Sequence, residues 1–201
     1  MSSSVIIHKK LDRDFYLRPT LEVAQDLLGK YLVYNNKGQI ISVRLVEVEA
    51  YIGEDDPACH AAVGKTARNE IMYGTGGFIY IYFIYGMYFC LNIVTESVGY
   101  PAAVLIRGAE PIEGIEIMRE NYPDAKNGRY TYGPGKLCKA LGLTREKNGL
   151  DLTGNSLYLE NREYKVKRIK KTTRIGIKKA TRRQWRFLDA DSELVSVSKK
   201  N

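Results

Sequence analysis

The sequence predicts an α+β fold: a single mixed domain over residues 1–201, with a largely antiparallel sheet and short flanking helices. Three observations lead there. β-Branched and aromatic residues gather in two pairs of neighbouring runs, each pair parted by residues suited to a tight turn. Helical spacing is confined to brief segments. Short strand-like runs recur through the second half of the chain. A length of 201 residues fits one domain. A domain of this size buries roughly 70% of its unfolded surface, so it needs no disulfide or metal staple.

Taken in order, Arg18-Pro19-Thr20 opens a segment in which Leu21, Ala24, Leu27 and Leu28 recur at helical spacing, and Gly29 stands where a left-handed cap belongs. Residues 31–34 and 39–51 are strand-like and flank Asn35-Asn36-Lys37-Gly38, whose Asn and Gly tolerate positive φ, so a hairpin is expected. Residues 52–77 turn polar and are rich in Asp, Gly and Thr, which predicts a long functional loop. Residues 78–85 and 87–94 form the most strand-like stretch, with Gly86 as the obvious turn, and predict a second, tight hairpin. A buried strand is expected at 102–106, with short helices at 111–120 and 136–141. The remaining expected strands are 157–159, 166–169, 173–177 and 194–197.

Composition excludes several classes. Cys59, Cys90 and Cys138 are an odd number at wide spacing, and with His8 and His60 beside them no zinc-ligand set can be written, so reduced thiols and no metal are expected. The first twenty residues carry seven charged or His side chains, which leaves no apolar signal core, and the apolar run 78–94 is too short and too interrupted to span a membrane. An intracellular protein is expected. No GxGxxG, GxSxG or HExxH occurs, and Gly133-Pro134-Gly135-Lys136 does not complete a P-loop.

Charge is uneven: residues 1–100 hold nine basic and eleven acidic side chains, net −2, whereas 101–201 hold twenty-two and twelve, net +10. Twelve of the basic residues fall within 162–186, beside one acid, Glu163. Such a stripe can hold nucleic-acid phosphates by releasing counterions, or serve simply as a solvated face.

Strand parity places Ile41, Val43, Leu45, Glu47 and Glu49 in one row, so two carboxylates end an otherwise apolar face. A carboxylate there is either a general base in a purpose-built environment or a rim charge on a fraying strand. Five of the fifteen tyrosines, Tyr73, Tyr80, Tyr82, Tyr85 and Tyr88, lie within sixteen residues. They can fill a core or sandwich a planar ring, and Tyr85, beside Gly86 at the hairpin tip, can wedge between bases. Gly133-Pro134-Gly135-Lys136 at a helix start offers N–H groups to a phosphate or makes a plain turn.

These same residues form an ordered set of motifs: Val46-Glu47-Val48-Glu49-Ala50-Tyr51, His60, Thr66-Ala67-Arg68-Asn69, the run from Tyr80 through Tyr82, Tyr85-Gly86-Met87 and Cys90 to Asn92, Leu105-Ile106-Arg107-Gly108-Ala109-Glu110-Pro111, Gly133-Pro134-Gly135-Lys136-Leu137-Cys138 and Arg174-Ile175-Gly176-Ile177. Over residues 18–187 the chain resembles the alkyladenine (3-methyladenine) DNA glycosylases of the mammalian type. The resemblance implies a curved antiparallel sheet from which a β-hairpin enters the DNA minor groove with Tyr85 intercalated. It implies that a flipped base stacks between Tyr51 on one side and His60 with Tyr82 on the other, that Asn92 crowds the 2-amino group of guanine, and that Glu49 activates water beside Arg107. The backbone near Ile177 would help to hold that water.

Met87, Lys136, Arg174, Lys178 and Arg182 are the expected DNA contacts. The expected activity is that of a monofunctional purine DNA glycosylase, acting as a monomer on double-stranded DNA containing 3-methyladenine, 7-methylguanine, hypoxanthine or ethenoadenine. Neither metal nor organic cofactor is required, and the expected location is the cytoplasm, with the nucleoid in a bacterium or the nucleus in a eukaryote. Two other readings remain open at this stage: a non-catalytic binder of damaged DNA or structured RNA, and a nucleoside hydrolase acting on free metabolites.

Overall fold

The computed structural model describes residues 8–125 and 128–196. Among these residues nine strands form one open sheet whose pairings are all antiparallel: β1 Lys9–Lys10, β2 Tyr31–Asn36, β3 Gln39–Ile52, β4 Ile79–Ile84, β5 Tyr88–Val94, β6 Ala102–Glu113, β7 Leu157–Asn161, β8 Ile169–Thr172 and β9 Arg186–Asp189. Four short helices among the described residues flank it: α1 Arg13–Tyr16, α2 Thr20–Leu27, α3 Ile115–Asn121 and α4 Pro134–Ala140. The main order is β1-β7-β2-β3-β6-β5-β4. β3 is long enough to pair with β6 along one edge while its other edge takes β2 first and then β9, outside which β8 lies. The fold class expected from the sequence is the one observed.

Both predicted hairpins form. Lys37 and Gly38 turn β2 into β3 with φ of 53° and 92°, and Tyr85 and Gly86 turn β4 into β5 with φ of 55° and 67°. Positive φ at two successive residues suits the right-handed twist of paired strands.

Elsewhere the sequence expectations need correcting. Pro111–Glu113, expected in a helix, completes β6, and Gly114 at φ 72° breaks the strand before α3 begins. The expected strand 166–169 starts later, as Ile169–Thr172. Residues 173–177 form no strand: Gly176 takes φ 77°, and Arg174 turns inward to a buried carboxylate. Residues 194–196 are also irregular, and Val197 lies outside the described residues.

Alternation sorts the two faces of the sheet. Ile79, Ile81, Leu91, Ile93, Val104 and Ile106 enter the main core together with α2, α4 and β7 residues. The intervening Tyr80, Tyr82, Cys90, Asn92, Ala103, Leu105 and Arg107 line a cavity on the opposite face. β3 keeps to this plan through an irregularity. Its pairing with β6 slips between Leu45 and Glu47 and again before Val48, so Ile41, Val43, Leu45, Val48 and Ala50 share the core. The bulge thereby removes Glu47 and Glu49 from the apolar row in which strict alternation places them, since one extra residue reverses every side chain beyond it.

The 52–77 connection then folds over the cavity edge through two single turns, His60–Val63 and Glu70–Tyr73, above a small second core that includes Cys59, Ala61, Met72 and Tyr80. All three cysteines are free and buried. No helix among the described residues is long and apolar enough to cross a membrane.

Candidate active site

The cavity has a volume of about 470 Å³, a size suited to a small planar ligand. Its walls bring together Tyr51 from β3, His60 from the connection, Tyr82 from β4, Asn92 from β5, Arg107 from β6, Lys136 from α4 and Ile177 from the irregular 173–177 segment, with Tyr85 at its mouth. Tyr80 of the tyrosine cluster lines it as well, as do Tyr132 and Ile175, which the sequence reading assigned no role. Close packing explains Gly135: a Cβ there would stand 2.7 Å from the Tyr88 ring, so glycine lets α4 approach β5.

Glu49 lies directly behind this wall with 0% side-chain exposure. Its Oε1 accepts the backbone N–H of Ile175 at 2.7 Å, and its Oε2 accepts the Tyr51 hydroxyl at 2.8 Å and Arg107 Nη1 at 3.3 Å. All three donors belong to cavity-lining residues. A carboxylate offers about four acceptor positions, so three donors leave one open. Burial raises the Tyr51 phenol well above its ordinary range, and Glu49 adds to the shift, so Tyr51 remains a donor. Burial opposes the Arg107 charge, but Glu49 and Glu47 outweigh it and raise its pKa.

Glu47 is equally buried and is enclosed by Arg107 and Arg186. Arg186 was legible in the sequence only as one more residue of the basic stripe. The reading of either glutamate as a rim charge is therefore corrected: both are 0% exposed.

The aromatic side of the cavity is a contiguous set. His60 and Tyr82 rings have centroids 4.5 Å apart at 72°, and those of Tyr80 and Tyr82 are 5.4 Å apart. His60 Nδ1 is 2.9 Å from the Tyr80 hydroxyl, which fixes the ring. Asn69 secures the loop below by donating to the carbonyls of His60 and Gly64, both at 2.9 Å, while its Oδ1 accepts Thr66 N–H at 2.7 Å. Asn92 Nδ2 donates to Tyr80 O at 3.0 Å, which fixes its amide in the wall. At the hairpin tip Tyr85 is 77% exposed and Met87 66%, so two large side chains project largely into solvent.

The basic stripe divides. Arg174, expected to contact DNA, has 0% side-chain exposure: Nη1 and Nη2 meet Asp56 at 2.5 and 2.8 Å, and Nη1 also donates to Ala50 O. A desolvated guanidinium needs a carboxylate, and here the pair braces the site, with Arg174 Cζ 4.6 Å from the Tyr51 ring centroid. That guanidinium is unavailable to a phosphate. Arg186 is likewise buried, and Arg162, Arg168 and Arg183 are ion-paired. Lys178 and Arg182 remain exposed.

The site is thus a buried carboxylate behind an aromatic cavity, with an exposed hairpin tip at its mouth, in a mixed antiparallel α+β domain. Comparison with known proteins places the chain in a family. The family described as Methylpurine-DNA glycosylase (MPG) matches residues 14–193. A protein of Methanocella arvoryzae named "Putative 3-methyladenine DNA glycosylase" is 54% identical over 191 residues, covering 92% of this chain and 95% of its own. Proteins of the same name from Alkaliphilus oremlandii and from a Wolbachia of Brugia malayi are 47% and 50% identical over 199 and 177 residues, covering 93% and 88% of this chain and 98% and 95% of theirs. The chain belongs to the methylpurine-DNA glycosylase family and is a DNA glycosylase.

His60 yields a pH prediction. Burial, with Arg68 nearby, holds its pKa down to about 4 from 6.5. Between those values the unfolded chain binds a proton that the folded one refuses. Stability from this group is therefore present above pH 6.5 and is lost as pH falls toward 4. Urea midpoints of the wild type and His60→Gln should accordingly converge as pH falls through that window.

Proposed function

We propose that this chain removes alkylated or deaminated purines from duplex DNA by rotating the damaged nucleotide into the cavity and hydrolysing its N-glycosidic bond with a water activated by Glu49. The observation that carries the reading is a buried, arginine-balanced carboxylate that holds three donors, one fewer than it can accept, beside an aromatic slot.

Tyr51, His60 and Tyr82 all line the cavity, and on this reading a flipped purine stacks between Tyr51 and the pair His60 and Tyr82. Electron-rich rings favour the cationic bases produced by alkylation at N3 or N7. In the reaction Glu49 takes a proton from water, the water oxygen bonds to C1′, and the C1′–N bond breaks with its electron pair leaving on the purine. The same carboxylate charge favours the positive sugar that develops as the base departs.

Tyr85 fills the gap left in the stack, and Met87 borders it. Lys136 at the cavity wall, together with Lys178 and Arg182 on the surface, holds phosphates without reading sequence. The Asn92 amide, fixed by Tyr80 O, meets the edge where guanine carries its 2-amino group. Among the described residues no cluster of His, Cys, Asp or Glu is arranged to hold a metal ion. On this reading water is the nucleophile, since the motif sets no lysine beside Glu49 to form a Schiff base, and the product is an abasic site with the strand uncut. The enzyme works as a monomer. Membership of a DNA glycosylase family, with a carboxylate kept behind the cavity, favours this reading over a non-catalytic binder, for which that buried charge has no use.

Two variants test it. Glu49→Gln keeps the shape but removes the charge, and single-turnover base release should fall by about 10² to 10⁴-fold while lesion binding persists. A near wild-type rate would remove Glu49 from the role. Tyr85→Ala should weaken binding to a lesion duplex by about 1–3 kcal/mol. The loss should be smaller on a single-stranded lesion, where nothing has to be unstacked, and titration with both substrates reads the difference.

A further inference from the structure

Glu47 lies two residues before Glu49, yet its surroundings are those of an anchor. Its Oε1 accepts Arg107 Nε at 3.0 Å and Arg186 Nε at 2.7 Å, and its Oε2 accepts the backbone N–H of Ser196 at 2.5 Å. Arg186 Nη2 in turn donates to Ser196 O at 2.5 Å, so both backbone groups of Ser196 are engaged. The 194–196 segment reaches this depth because residue 108, paired with Glu47 across the sheet, is glycine. A Cβ there would stand 2.6 Å from Leu194 O and 3.3 Å from Glu47 Cβ.

Arg107 is thus divided between two carboxylates, Nε on Glu47 and Nη1 on Glu49. A guanidinium left to one carboxylate prefers to grip it with two parallel N–H bonds. On Glu49 a second bond would fill the position left by Ile175, Tyr51 and the existing Arg107 contact. Four charges are also in balance here, Glu47 and Glu49 against Arg107 and Arg186.

We propose that Glu47, secured by Arg186 and the 194–196 segment, is a positioning residue that restricts Arg107 to a single contact with Glu49 and so keeps one acceptor position of Glu49 open for water. The proposal rests on the reading of Glu49 as the base. It gives the C-terminal segment, remote in sequence from the motifs, a part in the chemistry without contact to DNA.

The test measures single-turnover excision, enzyme in excess, from a duplex carrying one hypoxanthine, alongside the affinity for that duplex. Glu47→Gln should slow excision by about 10 to 100-fold, the scale expected when a catalytic group is misplaced, with affinity unchanged. In an Arg107→Gln background it should cause no further loss, because the group it restrains is gone. A wild-type rate, a parallel loss of affinity, or losses that multiply with Arg107→Gln would overturn the proposal.

Ser196→Pro removes the N–H donated to Glu47 while keeping all four charges, and carries the test if Glu47→Gln does not fold. It should slow excision with unchanged affinity in the wild-type background and have no effect in Arg107→Gln. Unaltered excision by Ser196→Pro in the wild-type background contradicts the proposal. Glu49→Gln run in parallel separates the two ideas. If it is inactive while Glu47→Gln and Ser196→Pro run at full rate, only the anchoring role fails; if it is active, the reading of Glu49 fails first.

Discussion

The structure depends on one arrangement, the burial of two glutamates behind the cavity and the division of Arg107 between them. An isolated buried carboxylate costs several kcal/mol, so the surrounding chain has to supply charge and donors from several directions. β6 supplies Arg107, β9 supplies Arg186, the 173–177 segment supplies the Ile175 N–H, and the 194–196 segment supplies the Ser196 N–H. The branched sheet, in which β3 exchanges β2 for β9 along one edge, is what brings Arg186 alongside.

The remainder of the site follows from alternation along strands. β4, β5 and β6 each turn apolar residues toward the helices and tyrosine, asparagine or arginine toward the cavity, so one set of backbone pairings builds both core and slot. The bulge near Val46 lets β3 join that plan with its carboxylates on the functional face. The buried Arg174–Asp56 pair ties the connection bearing His60 to the segment bearing Ile175, and its guanidinium backs the Tyr51 ring. Rigidity at Tyr51 matters because its hydroxyl is also a ligand of Glu49.

The hairpins, the α2 helix and the tyrosine-rich slot were legible because their signals are local: period-two patterning, glycine at each turn and helical spacing. The aromatic residues and Glu49 with Arg107 were legible through the motif pattern. What escaped was set by tertiary context. A bulge leaves no mark in the alternation of Leu45, Glu47 and Glu49. β9 is short and ends in Arg186 and Asp189, charges that read as surface but are buried and paired. For the same reason the stripe could not be divided by composition into structural arginines such as Arg174 and exposed cations such as Lys178. Ile175 acts through its backbone N–H, which residue type does not reveal.

The central claim is that a buried, arginine-balanced carboxylate hydrolyses a glycosidic bond through water. The most direct measurement follows a duplex with a single 3-methyladenine or hypoxanthine through one turnover in the presence of borohydride, recording free base, strand integrity and covalent adduct together. The account predicts stoichiometric release of free base, an intact strand bearing an abasic site, and no trapped adduct. A protein–DNA adduct, through Lys136 in the cavity wall for example, or strand cleavage concurrent with base release, would contradict it.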